Sequence, residues 1–250
     1  MTYMLTVLAA AKAKFINVIT IPVIVAILGT IPMSRDPLDK ETPEERTQRH
    51  TVLATGMLRA ASLATCTGEF AAKEGCERRW YRSRDDLIMH LITQGRYESN
   101  FAKRIHEGKC RPNECDGQIR TKTKDGKIVR SARAKTVWQL QWHKLYNRKQ
   151  WLNVEGLDQE RTTRAAWFAS KWLSVCLKAC GNDDRRLTAM YKSGRTCKFK
   201  GIAAKKNTKD RADYFWALKS YIVPRILKKM KEEEKKAPEK KEGERVAKND

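Results

Sequence analysis

The sequence predicts a mainly helical domain, and three observations carry that expectation. Apolar residues recur at helical spacing over several long segments, helix-start signals precede two of them, and strand-like alternation is confined to one short stretch. With 250 residues, 41% of them hydrophobic and 32% charged, the chain is long enough to bury a core of its own.

The elements follow in order. Residues Phe15 to Pro32, FINVITIPVIVAILGTIP, form an uncharged apolar run preceded by Lys12 and Lys14. As one helix this run reaches roughly 27 Å, close to the hydrocarbon thickness of a bilayer. A buried core helix is the alternative, but a core helix of this size normally carries a polar stripe, and this run has none. Residues 1–32 are therefore expected to be a signal or membrane-anchor segment. The lysines before the run favour an N-terminus inside and the domain outside the cytoplasm, in the periplasm or cell envelope. Gly29-Thr30-Ile31-Pro32 lacks an A-x-A cleavage pattern, which points to a retained anchor.

Residues 33–50 read as a charged linker that becomes helix near Thr42. There Thr42-Pro43-Glu44-Glu45 supplies a cap residue, a proline in the first turn and a glutamate three residues after the cap. That helix runs through Val52, Leu53, Met57 and Leu58 toward Leu63. A second starts near Ser83 or Asp85 and carries Leu87, Ile88, Leu91 and Ile92 at helical spacing. Further helical patterns cover Lys135 to Leu145, Thr162 to Ala179, Asp183 to Tyr191 and Lys209 to Lys229. Around Gln118 to Val129, with Asp125-Gly126 as a turn signal, a hairpin and a basic loop are both open. Residues 51–227 are expected to form the domain, and residues 228–250, rich in both charges and nearly free of apolar groups, a disordered tail.

Lys and Arg number 52 against 29 Asp and Glu, a net charge of +23. Such a surplus on the folded part points to a polyanionic partner: nucleic acid, anionic lipid or wall polymer. The seven cysteines leave at least one unpaired. Their spacings repeat no zinc-ligand unit. Cys110-Arg111-Pro112-Asn113-Glu114-Cys115 reads as a turn closed by a bridge, and Cys180 with Cys197 as a second staple. His50, His90, His106 and His143 show no metal-ligand pattern, so neither metal nor cofactor is expected. Of the tryptophans, Trp138, Trp142, Trp151, Trp167 and Trp172 sit mostly at core-like helical spacing.

The chemistry concentrates at Glu98. Leu87, Leu91, Gln94 and Glu98 fall at offsets of four, three and four, which places the carboxylate on the apolar face of its helix. A partly desolvated carboxyl holds its proton more readily, as a general acid must; a glutamate at a frayed helix end is the alternative.

Around this residue the sequence resembles a family. Arg96-Tyr97-Glu98-Ser99-Asn100-Phe101 is similar to the E-S-x-F signature of the lysozyme-like lytic transglycosylases of the soluble-lytic-transglycosylase type. Thr136-Val137-Trp138-Gln139 resembles the G-L-M/W-Q motif of that family, and Ala189-Met190-Tyr191-Lys192-Ser193-Gly194 its A-x-Y-N-x-G motif. Thr136 stands where the family usually has Gly, and Lys192 where it usually has Asn. The resemblance implies a lysozyme-like fold of the goose-type lysozyme and transglycosylase class. It also implies a lytic transglycosylase that cleaves between N-acetylmuramic acid and N-acetylglucosamine in peptidoglycan glycan strands. Glu98 would be the single catalytic acid and base, leaving a 1,6-anhydromuramoyl end, while Ser99, Gln139 and Tyr191 would bind or orient substrate. Glu107, Glu114 and Asp116, the nearest candidates for a second carboxylate, read as loop residues. The chain would act as a monomer held to the membrane by its N-terminal segment. A nonenzymatic wall-binding or phage virion protein that contacts nucleic acid is the other reading, which membrane targeting and disulfides disfavour.

Overall fold

A computed structural model describes residues 18–32, 36–70, 81–111, 115, 118–122, 128–141, 143–193, 197 and 202–236. It is mainly helical. Among the described residues the α-helices are α1 (Ile21–Gly29), α2 (Pro43–Thr65), α3 (Arg84–Ser99), α4 (Lys103–His106), α5 (Arg148–Leu152), α6 (Gln159–Ala179), α7 (Asp184–Ser193), α8 (Ile202–Ala217) and α9 (Val223–Lys236). A π-helical turn, Leu218–Ile222, joins α8 to α9.

The caps explain where the two best-signalled helices begin. Thr42 accepts from Glu45 N at 3.1 Å and the Glu45 carboxylate accepts from Thr42 N at 2.9 Å, a reciprocal capping box. Ser83 caps α3 through a bond from Asp86 N, and the left-handed Asn100 ends that helix. Helices α2 and α6 pack along each other, tightly at Gly56, where a Cβ would lie 3.1 Å from Thr162 Cγ2. Helix α3 packs against α2, α6 and α8, and is buried on every side from Asp85 to Gly95. Helix α7 bridges α6 and α8.

The apolar N-terminal run is where the structure departs most from expectation. Its described part forms the nine-residue α1, and Ile19, Val23, Ile24, Ile27, Leu28 and Ile31 join the same core cluster as Leu53, Leu87 and Leu173. Among the described residues no helix is long and apolar enough to cross a membrane. Both ends of this segment are tied to the rest of the domain. Asp85 Oδ2 accepts from Val18 N at 2.8 Å, Arg46 Nη2 donates to Ile31 O at 2.6 Å, and Asn100 Nδ2 donates to Pro32 O at 2.8 Å. A helix apolar all round is stable either in lipid or wrapped by protein, and α2 and α9 wrap this one. Residues Phe15 to Asn17 lie outside the described part.

The charges of the expected linker are also engaged. Arg49 forms a two-pronged pair with Glu41 at 2.7 Å and donates to Phe101 O, and the buried Asp39 accepts from Arg104 N at 2.9 Å.

A second departure covers Lys135 to Leu145, expected as helix. The chain there makes a small antiparallel pair, β3 (Ala134–Lys135) with β4 (Leu140–Gln141), closed by the turn from Thr136 to Gln139. Thr136 (φ 66°) and Gln139 (φ 50°) are both left-handed, which no helix can accommodate. The stretch from Gln118 resolves as a hairpin, β1 (Gln118–Lys122) with β2 (Ile128–Ala132), Arg120 opposite Arg130. Cys110 bridges Cys115 and Cys180 bridges Cys197, as read from the sequence. Cys66 is disulfide-bonded too, and Cys176 is a buried free thiol. The tail expected from Lys228 remains helical to Lys236, exposed over its last six residues; 237–250 lie outside the described residues.

Candidate functional site

Glu98 stands in the last turn of α3, and its side chain keeps 19% of its surface open. Its partner is Arg211 on α8, whose guanidinium is 1% exposed. Arg211 Nη1 donates to Glu98 Oε1 and, at 2.8 Å, to Gln94 Oε1, while its Nε donates to Asn207 Oδ1 at 2.8 Å. Gln94, one turn before Glu98, is fully buried, and among the described residues its amide nitrogen has no partner. The Arg211 guanidinium also lies 5.4 Å from the ring centre of Tyr97, whose hydroxyl donates to Asp210 O.

Ser99 does not point at free space. Its Oγ lies 2.8 Å from Val137 O and 3.1 Å from Gly95 O, and it accepts from Phe101 N at 3.1 Å. The hydroxyl thus fastens the end of α3 to the turn between β3 and β4. Trp138, in the same turn, is fully buried and donates from Nε1 to Leu91 O at 2.9 Å, a second tie to α3. Tyr191 on α7 reaches the same turn from another side, its hydroxyl donating to Trp138 O at 2.9 Å. Burial first, and the Glu98 charge second, push the Tyr191 phenol well above its usual range. The phenol is therefore neutral and within electrostatic reach of the carboxylate, though its hydrogen bond goes to the backbone.

Gln139 is half-buried at the far end of the turn, its Nε2 donating to Thr136 O at 3.2 Å and lying 3.3 Å from Cys115 Sγ. The four candidates thus divide. Ser99 and Tyr191 meet at the Val137-Trp138 backbone, Glu98 precedes Ser99 and engages Arg211 instead, and Gln139 lies against Cys115. Thr136 has the left-handed backbone that favours glycine, the residue the transglycosylase motif carries at that place. Glu107 pairs with Lys109 at 2.8 Å; Glu114 and Asp116 lie outside the described residues. Among the described residues no group of three or more His, Cys, Asp or Glu side chains could hold a metal ion.

No protein-family model, no curated protein and no solved structure matches this chain.

The arrangement has its own chemistry regardless. It offers one partly exposed carboxylate beside a buried cation, on a rigid helix end fixed by backbone-directed hydroxyls. Arg211 is the member that sequence reasoning missed. Its spacing to Phe215 and Leu218, four and seven residues on, sets a cation on an apolar helix face. Such a cation needs a buried partner, and that was the available signal.

A second polar cluster lies deeper, and no candidate residue belongs to it. His90, fully buried, shares a bond of 2.8 Å with Asp184 Oδ1, and Arg82 donates to the same oxygen. His90 also stacks on Phe215, ring centres 4.0 Å apart. Burial works to raise the Asp184 carboxyl, but the bonds from His90 and Arg82 outweigh it and hold the group at about 2. With His90 closed off from solvent, this cluster locks α3, α7 and α8 together.

Proposed function

We propose that the chain is a peptidoglycan lytic transglycosylase of lysozyme-like fold, with Glu98 as its general acid and base. The observation that supports this reading best is the meeting of three separated motif segments. Ser99 binds Val137 O and Tyr191 binds Trp138 O, so strings far apart in sequence converge beside one partly exposed carboxylate. In this reading Glu98 first gives its proton to the glycosidic oxygen and then takes one from the C6 hydroxyl of the muramoyl sugar, which closes the 1,6-anhydro ring. One carboxylate serves both halves, unlike the paired carboxylates of hydrolytic glycosidases. Ser99 and Tyr191 act as positioning residues that fix the backbone around Glu98. Attachment to the cell envelope and an extracytoplasmic location belong to the same proposal, and so does monomeric action.

Arg211 favours a second reading. Its guanidinium donates to the Glu98 carboxylate and, with the same nitrogen, to the buried Gln94, so the carboxylate is tied directly to α8. Glu98 would then be a structural ion pair joining α3 to α8, in a basic protein that binds wall polymer without cutting it. Incubating the full chain with purified sacculi and weighing the soluble products by mass spectrometry separates the two. Anhydromuropeptides support the transglycosylase; ordinary reducing ends indicate a hydrolase; bound but intact sacculi favour the structural pair.

A further inference from the structure

We infer that the outward face of the helix running from α8 through the π-turn into α9 docks on an anionic phospholipid bilayer. This inference rests on no chemistry at Glu98. Trp216 and Tyr221 are 43% and 75% exposed, and they lie five residues apart across the π-turn. Lys219, Ser220 and Arg225 are exposed with them, so the two rings belong to the solvent side of this stretch.

The inward side is occupied. Leu218 and Val223 are buried, and Ile222, Ile226, Leu227 and Met230 pack on the core, so the rings cannot turn in. The stretch is cationic. From Tyr214 to Lys231 the chain carries Lys219, Arg225, Lys228, Lys229 and Lys231, and no carboxylate. Lys219 Nζ stands 5.6 Å from the Trp216 ring centre, and Lys228 and Lys229 have side chains 80% and 76% exposed. Lys219 is also paired with Asp86 at 2.7 Å. Lys228 and Lys229 approach Glu232 and Glu233 at 3.9 and 3.6 Å, solvent-exposed pairs that water and salt screen. Trp and Tyr at the level of the headgroups, with Lys and Arg reaching the lipid phosphates, is the pattern that suits an interfacial helix. The net charge of +23 supplies the long-range attraction.

The test is co-sedimentation of the full chain with vesicles of phosphatidylcholine alone and of phosphatidylcholine mixed with phosphatidylglycerol. The protein should pellet with the mixed vesicles and stay soluble with the neutral ones. Trp216→Ala with Tyr221→Ala, and separately Arg225→Gln with Lys228→Gln, should each lower partitioning by roughly tenfold or more. Both pairs are surface changes, and an unchanged circular dichroism spectrum verifies the fold. Full binding by the aromatic double variant would overturn the inference, since attraction would then come from general charge or from residues outside this face. Failure of the wild-type chain to bind mixed vesicles, with or without binding to sacculi, would overturn it too.

Discussion

Arg211, nearly sealed from solvent, places its guanidinium against the Glu98 carboxylate and holds Gln94 with the same nitrogen. The pair spans α3 and α8, elements whose sequence separation exceeds a hundred residues. Removing the cation leaves the Gln94 and Glu98 oxygens without their donor, while removing only the carboxylate charge leaves an amide that still accepts. Arg211→Met should therefore lower unfolding stability by about 1–3 kcal/mol, the range for leaving buried acceptors without their donor. Glu98→Gln should cost clearly less. Urea unfolding of both variants checks the order, and equal losses would contradict it.

Gly95 lies in the interior of α3, where a Cβ would come within 2.3 Å of the Phe101 ring. Phe101 is itself left-handed at φ 51° and packed in the core, so its ring has little room to retreat. Gly95→Ala should destabilise by about 1–3 kcal/mol despite the better helix propensity of alanine. A thermal midpoint at or above wild type would show that Phe101 repacks freely.

The Cys180–Cys197 bridge closes the stretch containing α7, which carries both Asp184 and Tyr191. Replacing both cysteines by serine should lower stability by about 3 kcal/mol, as expected for a loop of this length. Urea denaturation of the double variant beside the wild type, without reductant, measures it. An unchanged midpoint would mean that the bridge adds nothing to the contacts that α7 makes through Asp184 and Tyr191.

His50 and His106 are buried in the neutral form. Burial first, then Arg49, holds each at about 3. In the unfolded chain these imidazoles take up protons near 6.5. Between about 6.5 and 3 the unfolded state therefore binds more protons, and stability falls as the pH falls through that window. Asp184, held at about 2, adds a further loss only as the pH drops below the ordinary carboxylate range. Urea midpoints between about pH 7 and about pH 4 should decline, and His106→Gln should make the decline shallower. A flat profile would contradict the burial of these rings.

What could be read from the sequence was local. Thr42 and Ser83 announce their helices because a cap is a contact within four residues, and the Cys110–Cys115 bridge joins residues only five apart. The apolar run to Pro32 was ambiguous for a physical reason: an all-round apolar helix satisfies lipid and protein interior alike, and only the partners α2 and α9 decide. Thr136 to Gln139 was misread because Val137 and Leu140 imitate helical spacing, while left-handed backbone at Thr136 and Gln139 leaves no signature in non-glycine residues. At the site, Glu98 and its neighbours were legible as short strings. Arg211 was not, because its partner is fixed only by the packing of α8 on α3.

One comparison tests most directly whether Glu98 moves the proton. Sacculi are digested by the wild-type chain and by Glu98→Gln, with binding and released muropeptides measured on the same samples. Loss of the proton transfer should slow release by roughly a hundredfold to ten-thousandfold. Binding to sacculi should persist, and wild-type products should carry anhydromuramoyl ends. If Glu98→Gln releases muropeptides at the wild-type rate, the carboxylate is a structural partner of Arg211 and the active-site assignment is wrong.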